Sequence, residues 1–118
     1  MAYFPFMIQL DDKKCLIVGG GVVAARKAEQ MCEFGARVTV VAPEICVKLL
    51  SMEKTISIEK RKVTESDISG MDVVIMATDD AELNSRYAKL CRSKHILVNV
   101  VDVKKDCDFY FPAIIKQG

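Results

Sequence analysis

The chain has 118 residues, 51% of them hydrophobic and 28% charged, which is the size and composition of one ordinary globular domain. Its net charge of +1 argues against a nucleic-acid footprint and against an acidic solvating tail. No apolar run approaches the roughly 18 residues that a spanning helix needs, and the short apolar start has no basic region before it, so a cytoplasmic protein without a membrane segment is expected.

Two kinds of segment alternate along the chain. Cys15-Leu16-Ile17-Val18 is a short apolar run closed by three glycines, and it reads as a buried parallel strand. Over residues 22–34, Ala24, Ala25, Ala28, Met31 and Cys32 recur at helical spacing, and Gly35 supplies the stop. Residues 38–41 form a second strand, ended by Pro43. Residues 44–53 predict a short helix with Cys46, Leu49 and Leu50 facing inward. Residues 55–59 alternate Ile56 and Ile58 with polar side chains, the pattern of a strand nearer the sheet edge. Residues 72–77 are a continuous apolar run and so a central strand. Thr78-Asp79-Asp80 offers N-cap side chains for a helix whose inner face is Leu83, Tyr87, Leu90 and Cys91. Residues 96–101 are another buried strand, and residues 107–115, broken by Pro112, read as the start of a last one. The five cysteines, Cys15, Cys32, Cys46, Cys91 and Cys107, are odd in number and form no CxxC pair. They read as small buried hydrophobes in a reducing compartment, not as a zinc site.

Alternation of this kind predicts an α/β fold: a single Rossmann-type domain over residues 1–118, with a doubly wound parallel sheet, right-handed crossovers and helices on both faces. Ligands of such sheets sit beyond the carboxyl ends of the strands, where the strand order reverses. The residues to inspect therefore follow Val18, Val41, Ala77 and Val101.

After the first strand comes Gly19-Gly20-Gly21-Val22-Val23-Ala24, which fits G-x-G-x-x-G/A with Gly19, Gly21 and Ala24 at the fixed positions. Gly19 permits the tight turn, Gly21 lets a pyrophosphate approach the backbone, and Ala24 lets the helix pack closely on the strand. The helix start then presents free N–H groups to the phosphates. A strand before the turn and a helix after it are the context that this motif requires. The second strand ends Val41-Ala42-Pro43, and Glu44 is the first acid able to meet a ribose, although it would equally favour a helix start. No Arg or Lys stands between Val38 and Cys46 to receive a 2′-phosphate, which tilts the choice from NADP to NAD.

Asp79 and Asp80 follow the fourth strand, with helix capping as the simpler role, and Thr78 at the tip itself is well placed to touch the cofactor. Asp102 ends the fifth strand. A carboxylate beside a nicotinamide crevice can take a proton while hydride leaves, and the alternative is a turn or capping aspartate. His95, the only histidine, reads as a solvated turn residue away from the crevice.

Several segments together resemble the N-terminal NAD-binding domain of siroheme synthases, the precorrin-2 dehydrogenase/sirohydrochlorin ferrochelatase family. They are Tyr3-Phe4-Pro5-Phe6, the stretch from Cys15 through the glycine turn to Lys27, Gly35 to Glu44, Ala77-Thr78-Asp79-Asp80-Ala81-Glu82-Leu83-Asn84, Asn99-Val100-Val101-Asp102 and Phe109-Tyr110-Phe111-Pro112-Ala113-Ile114. The resemblance covers nearly the whole chain in the same motif order. It implies oxidation of precorrin-2 to sirohydrochlorin with hydride passing to NAD⁺, and in many members insertion of Fe²⁺ in the same crevice. It also implies that Asp102 is the acid/base group, and that Val22, Val23, Pro43 and Glu44 contact NAD.

The departure is length. Members of the family continue past the F-P-A-I segment into a dimerisation region and a small helical domain, so a chain ending at Gly118 is expected to associate weakly. Arg92, Lys94, Lys104 and Lys105 are the cations available to substrate carboxylates, with solvated surface charge as their simpler role. A different class of function, a non-catalytic NAD(H)-binding or regulatory module, competes with the dehydrogenase. The short length favours the module and Asp102 favours the enzyme.

Overall fold

The computed structural model describes residues 7–101. Five strands, β1 (Lys14–Val18), β2 (Arg37–Val41), β3 (Ser57–Glu59), β4 (Val73–Met76) and β5 (Leu97–Val100), form one sheet in the order β3-β2-β1-β4-β5, every pair parallel. Helix α1 (Val22–Glu33) joins β1 to β2, the single turn α2 (Val47–Leu50) precedes β3, and α3 (Ala81–Ser93) joins β4 to β5. The order reverses beside β1: the chain first winds outward through β2 to β3, then crosses back to β4 and β5. This is the Rossmann-like arrangement that the strand–helix alternation predicts.

The strands are apolar on both faces because both faces are covered. Cys15 and Ile17 of β1 point to one side and pack with Ala24, Ala25, Ala28 and Met31 of α1, Leu49 of α2 and Val38 and Val40 of β2. Leu16 and Val18 point to the other and pack with Tyr87, Ala88 and Cys91 of α3 and with Ile68. Three alanines on α1 let the helix axis approach the sheet closely. Burial pushes the Cys15 thiol up to about 12, with neighbouring Cys32 adding to the rise, so this cysteine acts as an inert small hydrophobe.

Three expectations need correction. The helix over residues 44–53 shrinks to Val47–Leu50, because Cys46 N–H is held by the Gly20 carbonyl at 2.8 Å and residues 43–46 stay outside the helix. With one turn only, one side chain faces the sheet: Leu49 is buried, Cys46 is half-buried and Leu50 is exposed. On α3 the buried set is Asn84, Tyr87, Ala88 and Cys91, spaced i, i+3, i+4 and i+7, while Leu83 and Leu90 flank it half-buried. The expected strand over residues 107–115 and the segment Tyr3-Phe4-Pro5-Phe6 lie outside the described residues. No helix among the described residues is long and apolar enough to cross a membrane.

The long crossover from β3 to β4 is shaped by charge. Arg61 grips Asp67 with both terminal nitrogens, Nη1 to Oδ2 at 2.8 Å and Nη2 to Oδ1 at 2.6 Å, and its Nε reaches Glu59 at 3.2 Å. Asp67 also accepts from Thr64 N–H at 2.7 Å, which starts a 3-10 helix over Glu65–Ile68 and sets Ile68 into the core. The Arg61 guanidinium, foremost, holds the Asp67 carboxyl well below its ordinary value, at about 2. A depressed carboxyl contributes stability that is whole above the unfolded value near 4 and is lost as pH falls through about 2. Thermal unfolding measured from pH 5 to pH 2 is therefore expected to show Asp67→Asn less stable than wild type at pH 5, with the gap closing toward pH 2. A gap independent of pH would mean that the carboxylate charge contributes nothing.

Candidate functional site

The five strands end level. Glu59, Val41, Val18, Met76 and Val100 are register partners across the sheet. One residue further, the tips of β2, β1, β4 and β5 are each tied to a neighbour: Ala42 N–H donates to the Glu59 carbonyl (3.1 Å), Gly19 to Val41 (3.1 Å), Ala77 to Val18 (2.8 Å) and Val101 to Met76 (3.0 Å). The carboxyl edge is thus a nearly continuous rim, and the crevice opens over β1 and β4, where the winding reverses.

The glycine turn lies at the middle of that rim. Gly19 has φ +134°, and a Cβ there would strike the Ala77 carbonyl on the β4 tip. Gly20 is held as tightly, since a Cβ on it would overlap the Glu44 carbonyl and lie 3.1 Å from the Ala42 Cβ. Gly21 is different. Its φ of −93° suits any residue, and an added Cβ would meet nothing within 4 Å. It is the N-cap of α1, with no side-chain cap and no acid in the first turn, and its carbonyl accepts the first helical bond from Ala25 N–H at 3.0 Å. The opening N–H groups of α1 have no partner within the helix. They lie with exposed Val22 and Val23 beside the open face of Gly21. An anion approaching there meets a positive helix end and no side chain in its way. Gly21 is the cradle and Gly19 and Gly20 are its structural walls, so the residues present fit a dinucleotide pyrophosphate.

Glu44 and Pro43 are exposed at the β2 tip, and the contact of the Glu44 carbonyl with Gly20 fixes the main chain between them. Across the turn, half-buried Thr78 donates its hydroxyl to Asn84 Oδ1 at 2.5 Å, while Asn84 Nδ2 donates back to the Thr78 carbonyl at 2.9 Å. Thr78 Oγ1 also accepts from Asp80 N–H at 3.2 Å, so toward a ligand this hydroxyl acts as an acceptor. Asp80 caps α3 through Leu83 N–H at 3.1 Å, the simpler role expected of it, and Asp79 is exposed beside it. Asp102, the expected acid/base residue, lies outside the described residues.

His95 is exposed with φ +59° at the amino end of β5, away from the crevice, in agreement with its reading as a turn residue. Arg92 and Lys94 end α3 at that same edge, opposite the glycine turn. Lys104 and Lys105 lie outside the described residues. Three contributors were not singled out from sequence. Gly20 stood at a free position of the motif, and only the run of three glycines hinted at its tight fit. Asn84 carried no role of its own in the sequence reading, although its place three residues before Tyr87 and seven before Cys91 puts it on the inner side. Arg61 belongs to a different loop from the β2 tip, and only the sheet pairing brings the two together.

A doubly wound parallel sheet with this turn at its switch point defines a dinucleotide-binding domain. The chain belongs to the family whose model is described as "Putative NAD(P)-binding", which matches residues 6–113. It is 41% identical over 120 residues to a siroheme synthase of Thioalkalivibrio sulfidiphilus, covering 100% of this chain and 24% of that protein. It is 42% identical over 120 residues to a siroheme synthase of Methylococcus capsulatus, covering 100% of this chain and 25% of that one. Among solved structures it is similar to SirC, a precorrin-2 dehydrogenase, with a TM-score of 0.84 and 28% identity over 98% of this chain and 58% of that chain. The chain thus spans about a quarter of the length of these siroheme synthases.

The two kinds of glycine separate in experiment. Gly20→Ala should destabilise the domain by about 1–3 kcal/mol, the usual cost of forced overpacking. Gly21→Val should leave the melting temperature near that of wild type and abolish binding of the dinucleotide. Wild-type affinity in Gly21→Val would move the site elsewhere.

Proposed function

We propose that this chain is the NAD-binding domain, residues 1–118, of a cytoplasmic enzyme that oxidises precorrin-2 to sirohydrochlorin in siroheme biosynthesis. The observation that carries the proposal is the open glycine cradle at the switch point, in a chain that aligns along its whole length with siroheme synthases. Bound NAD⁺ supplies the hydride acceptor. Gly19 makes the tight turn, Gly21 admits the pyrophosphate, and the amides of Val22 and Val23 bind it. Pro43 and Glu44 meet the adenosine ribose, whose hydroxyls a carboxylate can accept from, and the absence of a cation at residues 38–46 favours NAD over NADP. On the other side of the turn Thr78 offers an acceptor at the β4 tip. Asp102, the second residue beyond β5, takes the proton that leaves the macrocycle. In a longer form of the protein the same carboxylate would receive pyrrole N–H protons as Fe²⁺, a substrate, is inserted.

Two measurements test this. Calorimetric titration should give a lower Kd for NAD⁺ than for NADP⁺, and equal or tighter NADP⁺ binding would contradict the ribose assignment. In the full-length protein, Asp102→Asn should lower precorrin-2-dependent NADH formation by at least about 10²-fold, the lower range for a general base, with NAD⁺ affinity and thermal stability unchanged. A wild-type rate at unchanged stability would remove Asp102 from the mechanism.

A further inference from the structure

Residues 60–62 are Lys-Arg-Lys, a basic run directly after β3. The register places it beside the ribose end of the crevice: Glu59 partners Val41, and Ala42 N–H donates to the Glu59 carbonyl at 3.1 Å, so the β3 and β2 tips are hydrogen-bonded neighbours. Paired strands lie about 4.8 Å apart, within the span of an arginine side chain. The fork geometry of a guanidinium is well suited to a 2′-phosphate. Position alone would make Arg61 a receptor for NADP.

Most of its donors are already engaged. Nε donates to Glu59 Oε2 at 3.2 Å, Nη1 to Asp67 Oδ2 at 2.8 Å and to the Lys62 carbonyl at 3.1 Å, and Nη2 to Asp67 Oδ1 at 2.6 Å. A guanidinium carries five N–H donors, and these contacts use four of them. Two carboxylates also neutralise its charge, and Asp67 is itself anchored by Thr64 N–H at 2.7 Å. Lys60 and Lys62 are exposed, and each offers a hydrated point charge instead of a fork.

Resting on the cofactor site proposed above, we infer that Glu59 and Asp67 act as a specificity clamp, holding Arg61 away from the adenosine ribose and thereby excluding the 2′-phosphate of NADP. Preference for NAD then has two sources on adjacent strand tips: Glu44, which accepts from the ribose hydroxyls, and a clamp that withholds the nearest guanidinium.

The test is calorimetric titration of NAD⁺ and NADP⁺ into the full chain as wild type, Arg61→Gln, the double variant Glu59→Gln/Asp67→Asn, and the triple variant that adds Arg61→Gln. Circular dichroism and thermal unfolding accompany each protein. The double variant should gain about tenfold or more in NADP⁺ affinity relative to NAD⁺, the scale of one charge-assisted hydrogen bond. The triple variant should lose that gain, and Arg61→Gln alone should leave both affinities at wild-type values. If the double variant unfolds, Asp67→Asn alone, which keeps an oxygen to accept from Thr64, should show a smaller gain of the same sign. A gain that survives in the triple variant would overturn the clamp, since removal of negative charge would then suffice. So would weaker NADP⁺ binding in Arg61→Gln alone, which would mean that Arg61 already serves the phosphate. If wild type bound neither nucleotide, the cofactor site itself would fall. If wild type preferred NAD⁺ and the double variant gained nothing, the clamp alone would be wrong.

Discussion

Gly19 and Gly20 leave no room for a Cβ, and the rest of the site is arranged around that fact. Gly19 abuts the Ala77 carbonyl on β4 and Gly20 abuts the Glu44 carbonyl after β2. The glycine turn is therefore wedged between the tips of two other strands. Because the Gly20 carbonyl also holds Cys46 N–H, the segment that carries Glu44 cannot shift without disturbing the turn. Packing that tight on two sides leaves the third glycine as the open one. Gly21 faces free space at the head of α1, so the wedge that fixes the sheet also creates the cradle. Strand order contributes the rest, since the reversal beside β1 keeps helices from covering this part of the rim.

Much of this was legible in the sequence because buried parallel strands announce themselves. Cys15-Leu16-Ile17-Val18 and Val73-Val74-Ile75-Met76 are apolar without alternation, and in a chain this short that requires helices on both faces. Helix α1 was equally plain, with its three buried alanines at helical spacing. Errors arose where tertiary bonds override local pattern. Leu50 continues an apolar series on paper, but the bond from Cys46 to Gly20 delays the helix until only one turn remains. Asn84 is polar and yet buried, because Thr78 satisfies both ends of its amide. A polar residue facing the core can be recognised only when its partner is known, and here the partner lies six residues away across a strand-to-helix turn.

The electrostatics of the rim were the least legible part. Residues 38–46 carry no Arg or Lys, but they make up one strand tip only. The sheet places a second tip beside it, and Arg61 enters through that pairing. Its carboxylate partners Glu59 and Asp67 lie two and six residues away, so the run of Lys-Arg-Lys gives no hint that its central member is neutralised. Charge in this fold is organised by strand order as much as by sequence distance.

The central claim is that a dinucleotide lies across the rim at the switch point, cradled by Gly21 and bounded by the β2 and β4 tips. Amide chemical shifts followed by NMR during titration with NAD⁺ test it most directly. The account predicts saturable shifts at residues 19–23, 44–46 and 77–79, with Gly35, Asp72 and His95 at the opposite edge of the sheet unmoved. Shifts centred on that opposite edge, or a titration that leaves Gly21 and Val22 unchanged, would contradict it.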